Sequence, residues 1–157
     1  MTSPRRPSDV RVAFEPASPS DAEALADLRV AVMRDSLERI GRFDPQRARR
    51  RFLDGFSPAH TRHVVCDGQR VGFCVVKPEA LGLLLDHLYI APHRQGQGIG
   101  AAVLSDLFAR ADQHGLDVRV GALKDSPSNR FYVRHGFVLV ERTEFDNHYV
   151  RRADTAR

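Results

Sequence analysis

The stretch Leu88-Tyr-Ile-Ala-Pro-His-Arg-Gln-Gly-Gln-Gly-Ile-Gly-Ala101 constrains the fold of this chain more than any other. An almost continuous apolar run from Leu83 to Ile90 stops at Pro92 and reads as a strand. Gly96, Gly98 and Gly100 follow at alternate positions. Val103, Leu104, Leu107, Phe108 and Ala111 then recur at helical spacing as far as Gly115. A strand therefore passes through a glycine loop straight into a helix. The first N–H groups of a helix lack intrahelical acceptors and lie at the positive end of its dipole, so they form an anion site. Glycines leave no side chains in the way, and a diphosphate can approach the backbone. The loop lacks the Lys and Ser/Thr of a P-loop and the G-x-G-x-x-G spacing of a dinucleotide fingerprint. By itself it is also compatible with a tight turn needed only for packing.

The rest of the chain fits around that unit. Val10 to Glu15 alternates as a first strand ending at Pro16. Ser20 or Asp21 caps a helix with Ala24, Leu25, Leu28, Val32 and Met33 on one side, broken at Gly41. Asp44-Pro45 starts a second helix that ends near Gly55 or Pro58. Arg62–Cys66 and Arg70–Val76 form a hairpin about the turn Asp67-Gly68, and Lys77 to Gly82 is a loop. Asp117 to Ala122 alternates as a strand, a short helix follows Pro127, and Phe137–Arg142 and Glu144–Arg151 are two last strands. The order is β-α-α-β-β-β-α-β-α-β-β. Residues 10–152 read as one domain behind a disordered lead-in, residues 1–9.

Charge and cysteine content exclude several classes. No apolar run reaches the ~20 residues of a membrane span, and the first eight residues lack the apolar region of a secretory signal. Cys66 and Cys74, the only two cysteines, each lie in an apolar strand, which points to reduced buried thiols and a cytoplasmic protein. The histidines show no metal-ligand spacing, so no metal is expected. The formal charge of +4 is concentrated at Arg47, Arg49, Arg50, Arg51, Arg151 and Arg152. Without interleaved aromatics it reads as a solvated helix face rather than a nucleic-acid surface. Neither nucleic acid nor membrane is an expected partner.

A second segment, Leu123-Lys-Asp-Ser-Pro-Ser-Asn-Arg-Phe-Tyr-Val-Arg-His-Gly-Phe137, lies some thirty residues past the glycine loop. Gln95-Gly-Gln-Gly-Ile-Gly100, then Phe131-Tyr132 and Gly136-Phe137, resemble the two motifs of the GNAT superfamily of N-acetyltransferases. The element order agrees from Val10 to Arg151. Within that superfamily the chain is similar to small bacterial-type members, which carry Leu-Lys-x-Asn-Pro-Ala before the Phe-Tyr helix and His-Tyr in the last strand. Here Leu123-Lys-Asp-Ser-Pro-Ser128 and His148-Tyr149 stand at those places. The resemblance implies an α/β (α+β) fold with a mixed, mostly antiparallel sheet of about seven strands and about four helices.

It also implies an acetyl-CoA-dependent N-acetyltransferase acting directly on a primary amine of a small molecule or peptide. Main-chain groups from Gly96 through Gln97, Gly98, Ile99 and Gly100 to Ala101 would hold the CoA diphosphate, and Gln95 would orient the loop or touch the phosphates. Leu88, Tyr89 and Ile90 would offer main-chain groups to the pantetheine arm and acetyl carbonyl. Tyr132 would protonate the departing thiolate, against the alternative of a packed aromatic beside Phe131. His87 stands where related proteins often carry a Glu. It can serve as general base or be a hydrogen-bonded structural histidine. Asp86 should point to the opposite face of the strand. The Asn usual before the Phe-Tyr helix is Ser126, a shorter partner for CoA, and Asn129 one turn later is placed to compensate. Arg29, Met33 and His148 are candidate acceptor contacts, in a region that also holds Phe43, Phe56 and His60. Neither cysteine has a paired His, which rules against an acyl-cysteine route. A homodimer is compatible with the resemblance. The competing reading is a weak or inactive acyl-CoA-binding regulator on the same fold.

Overall fold

The computed structural model describes residues 10–154, so the expected lead-in, residues 1–9, lies outside the described residues. Seven strands are present: β1 (Ala13–Pro16), β2 (Thr61–Cys66), β3 (Gln69–Pro78), β4 (Gly82–Ile90), β5 (Asp117–Leu123), β6 (Val138–Arg142) and β7 (Asp146–Arg151). Four helices accompany them: α1 (Ala22–Arg39), α2 (Pro45–Asp54), α3 (Ile99–Gln113) and α4 (Ser128–Arg134). Their order along the chain is the one read from the sequence. The strands hydrogen-bond in the order β1-β2-β3-β4-β5-β7-β6. Within that sheet β4 and β5 run parallel, whereas β1–β2, β5–β7 and β6–β7 are antiparallel. The first strand is shorter than Val10–Glu15 and takes in Pro16, which an edge strand tolerates. β3 runs on to Pro78, so the loop before β4 is shorter than expected.

By compactness the chain divides in two. Among the described residues, one unit comprises residues 10–74 with Leu88–Val103; the other comprises Val75–His87 with residues 104–154. In the first, Asp44 caps α2 by accepting from the Arg47 N–H at 3.1 Å, and Pro45 occupies the first helical position. Ala48 and Phe52 are the buried residues of α2, and the Phe52 ring meets Phe73 of β3 edge-on at 5.4 Å. Arg47, Arg50 and Arg51 are exposed. Arg49 departs from the expected solvated face, because Glu23 and Asp27 of α1 both bind its guanidinium. In the second unit Phe108 of α3 packs on Phe137 at 5.6 Å, and Arg151 of β7 lies over the Phe108 ring while pairing with Asp112. Val118, Val120 and Ala122 give β5 the buried alternation seen in the sequence. Cys66 and Cys74 are buried, and among the described residues neither is in a disulfide. Among the described residues no helix is long and apolar enough to cross a membrane, and no cluster of three or more His, Cys, Asp or Glu gathers as metal ligands.

Ahead of α1, residues Pro19–Asp21 make a short 3-10 turn. Asp21 accepts from the Ser18 N–H at 2.8 Å, and its same oxygen lies 2.9 Å from Nε2 of buried His63 on β2. The Ser18 donor first, and the imidazole second, hold the Asp21 carboxyl down at about 2, against 3.8 for an unperturbed aspartate. Because the folded value lies below the unfolded one, this carboxylate stabilises the fold above pH 3.8 and the contribution is lost as pH falls toward 2. Urea unfolding between about pH 5 and pH 2 should show a steeper acid loss in wild type than in Asp21→Asn. Parallel pH dependences would disprove the role given to Asp21.

Candidate functional site

The glycine loop is built as a set of donors. Gly96 and Gly98 hold φ of +75° and +84°, a left-handed backbone that favours glycine, and α3 begins immediately after, at Ile99. Ala102 is the first residue whose N–H finds a carbonyl, that of Gly98 at 3.1 Å. Among the described residues, none accepts from the main-chain N–H groups of Gly96, Gln97, Gly98, Ile99, Gly100 or Ala101. Polar main-chain groups must be satisfied, so this run calls for water or an anion. Gln95 ties the loop to the strand before it, its Nε2 donating to the Ile90 carbonyl at 2.9 Å. Arg94, which the sequence reading passed over, donates to Gln97 Oε1 at 3.0 Å, and its side chain is only 17% exposed. Its place directly before Gln95 in the motif was the available signal.

β4 leads into this loop. Its pairing with β5 runs from Gly82–Asp117 to Leu85–Val120, and β4 continues to Ile90. Ile90 is buried, and Leu88 and Tyr89 are half-buried. A Cβ on Gly72 of β3 would come 2.2 Å from the Tyr89 carbonyl oxygen, so β3 can follow this path only with glycine at that position. An isolated glycine inside an apolar strand is the sequence sign of such an approach. Tyr89 packs its ring 5.4 Å from Phe73 and directs its hydroxyl toward α1. There Arg29 Nε donates to it at 3.4 Å, and it lies 3.5 Å from Met33 Sδ. Arg29 also donates Nη1 to the Ala48 carbonyl of α2. The structure thus brings Tyr89, Arg29 and Met33 together. Phe56 stacks on Phe52 at 5.6 Å, Phe43 lies under Arg34 and His60 Nδ1 bonds Ser57.

The remaining candidates belong to the second unit. His87 is 18% exposed, and its Nε2 lies 3.7 Å from Asp86 Oδ2, which Lys77 also binds at 3.0 Å. Asp86 was expected on the opposite face, yet its carboxylate still reaches the neighbouring imidazole. Tyr132 is 6% exposed, with Phe131 at 5.4 Å, Phe137 at 5.3 Å and Tyr149 at 6.5 Å. His148 pairs with Gly121 across β5–β7, its ring lies against Gly121, and Nε2 is 3.3 Å from Thr143 Oγ1.

Asn129 is a hub that its sequence position did not reveal. Its amide nitrogen donates to the carbonyls of Leu123 and Ser126, each at 2.9 Å, and lies 3.3 Å from Ser126 Oγ. Its amide oxygen accepts from the Tyr149 hydroxyl at 2.7 Å and from Asn147 at 2.9 Å. Both ends of this side chain are therefore engaged by protein groups, and Ser126 is held in place by it. Asp125, just before, has φ of +65°, so the turn needs such a brace. A brace of this kind, partly buried, is worth about 1–3 kcal/mol when its partners are left unpaired. Asn129→Ala should lower urea stability by that order, Tyr149→Phe by less, and the double variant by less than the sum. Strict additivity would show that the two side chains are not coupled.

The sequence model described as "Acetyltransferase (GNAT) domain" matches residues 59–139, more than half of the 157-residue chain. No curated protein matches the chain significantly. Among solved structures, a PaiA N-acetyltransferase from Thermoplasma acidophilum in complex with coenzyme A superposes with a TM-score of 0.74 at 16% identity, covering 90% of this chain and 99% of its own. An acetyltransferase from Thermus thermophilus gives 0.70 at 22% identity, covering 90% and 96%. N-acetylglutamate synthase from Neisseria gonorrhoeae, complexed with coenzyme A and N-acetyl-glutamate, gives 0.64 at 18% identity, covering 92% of this chain and 35% of its own. At such identities the likeness speaks for the fold.

Proposed function

The chain belongs to the acetyltransferase (GNAT) domain family, an acyltransferase class, and from that premise we propose that it transfers an acetyl group from acetyl-CoA directly to a primary amine. The observation that carries this reading is the unpaired run of main-chain donors from Gly96 to Ala101 at the start of α3. Consecutive N–H groups without protein acceptors, in a loop open enough that a Cβ on Gly96 would meet nothing within 4 Å, suit a diphosphate. Two of the structural relatives hold coenzyme A, which agrees with that assignment. Acetyl-CoA supplies an activated thioester, and the work left to the chain is to bind, orient and move protons.

In this reading Gly96, Gln97, Gly98, Ile99, Gly100 and Ala101 take the diphosphate, with Gln95 and Arg94 fixing the loop. Leu88, Tyr89 and Ile90 present main-chain groups to the pantetheine arm and the acetyl carbonyl, where a donor aimed at the oxygen lowers the barrier as charge develops. Ser126 supplies a further polar contact to the cofactor, and Asn129 enters through Ser126, whose position it holds. A lysine-like amine has a pKa of about 10.4 in water and must shed a proton before it attacks. His87 takes that proton, directly or through water, beside the Asp86 carboxylate. The amine nitrogen then bonds to the acetyl carbon, the carbon–sulfur bond breaks, and Tyr132 gives its phenolic proton to the sulfur. The nitrogen sheds its second proton, which restores the phenol through solvent, and the proton held by His87 is released to solvent. The products are an acetamide and free CoA.

The test is calorimetry with coenzyme A, together with thiol release from acetyl-CoA over an amine panel. Wild type should bind CoA and release thiol. Tyr132→Phe should keep CoA affinity and lose about 10²–10⁴-fold in kcat, the range of a general acid or base. Equal turnover by both proteins would remove Tyr132 from the chemistry. Absence of CoA binding to folded protein would remove the whole assignment.

A further inference from the structure

Resting on the acetyl-transfer reading, we infer that the acceptor is a small amino acid-type molecule whose carboxylate is received by Arg29. Arg29 is half-buried on α1, and both of its bonds go to uncharged oxygens, the Ala48 carbonyl and the Tyr89 hydroxyl. Among the described residues no carboxylate pairs with it. A guanidinium carries five N–H donors in a planar fork. Nε and Nη1 are used, so the other donors and the whole charge remain to be matched. A half-buried cation that lacks a counter-ion is costly, and a bound anion offsets that cost.

The surroundings select among anions. Arg49, next in sequence to the Ala48 that Arg29 bonds, is consumed by Glu23 and Asp27 and adds no free positive charge. One unmatched cation suits a monoanion, a carboxylate, better than a phosphate dianion. The Met33 sulfur lies 3.5 Å from the Tyr89 hydroxyl that Arg29 binds, an apolar neighbour that suits an organic acid better than a bare ion. Tyr89 is also the residue whose main chain is assigned to the acetyl end of the cofactor, so one residue joins the anion anchor to the reacting strand. A further observation agrees: Arg47, Arg50 and Arg51 of α2 are exposed and, among the described residues, without ion-pair partners. Such a patch draws anions toward the site and repels polycationic amines.

The experiment uses matched acceptors: amino acids, the corresponding amides, and the aminophosphonates, each with acetyl-CoA and a thiol-release readout. Wild type should prefer the acid over its amide by about 30-fold or more in kcat/KM, the scale of a charge-assisted bidentate contact. In Arg29→Gln that ratio should fall to within about threefold, and Arg29→Lys, which keeps the charge without the fork, should fall between. Thermal melts identify a variant that fails to fold, in which case Arg29→Lys alone decides. A wild-type ratio near one, or a ratio unchanged in the folded variants, overturns the inference; a preference for the phosphonates overturns the choice of a monoanion. If no amine turns over, ligand-observed NMR with CoA-loaded wild type compares acid with amide, and equal binding overturns it too. Failure of the acetyl-transfer reading looks different, because CoA itself then gives no heat.

Discussion

Main-chain donors that the protein does not satisfy for itself, from Gly96 to Ala101, set the terms on which the surrounding structure is built. A helix must start where they are, because only a helix start leaves successive N–H groups pointing the same way without partners. A strand must end just before, so that the loop is short and its direction fixed. Gln95 and Arg94 serve that end, one gripping the last strand carbonyl and the other the Gln97 amide. Neither bond needs a formal charge on its acceptor. Arg94 also lies 3.8 Å from the Asp67 carboxylate of the hairpin turn.

In the second unit one junction is made through neutral groups. At the entry to α4, Asn129 connects β5 and β7 through neutral groups, beside the left-handed backbone of Asp125. Other elements of the same unit are fastened by ion pairs: Arg119 with Glu79, Arg152 with Asp117, and the part-buried Arg151 with Asp112.

Much of this was legible in the sequence because it is local. The hairpin about Asp67-Gly68, the cap at Asp44 and the glycine loop depend on a few consecutive residues, and their chemistry is the same in any context. What escaped was set by pairing between distant segments. Asn129 becomes a hub only because the β5–β7 register puts Asn147 opposite Ala122 and Tyr149 opposite Val120. Arg49 leaves the solvated face only because α1 brings Glu23 and Asp27 beside it. Gly72 was visible as an oddity in an apolar strand, but what it accommodates was not.

The same glycine governs how the chain tolerates substitution. Position 72 carries no functional group, yet any side chain there would collide with the peptide oxygen of Tyr89. A library of single variants selected for activity would therefore score position 72 as intolerant as the reactive residues themselves. A map of essential positions drawn from such a library would include one residue whose whole contribution is the space it leaves empty.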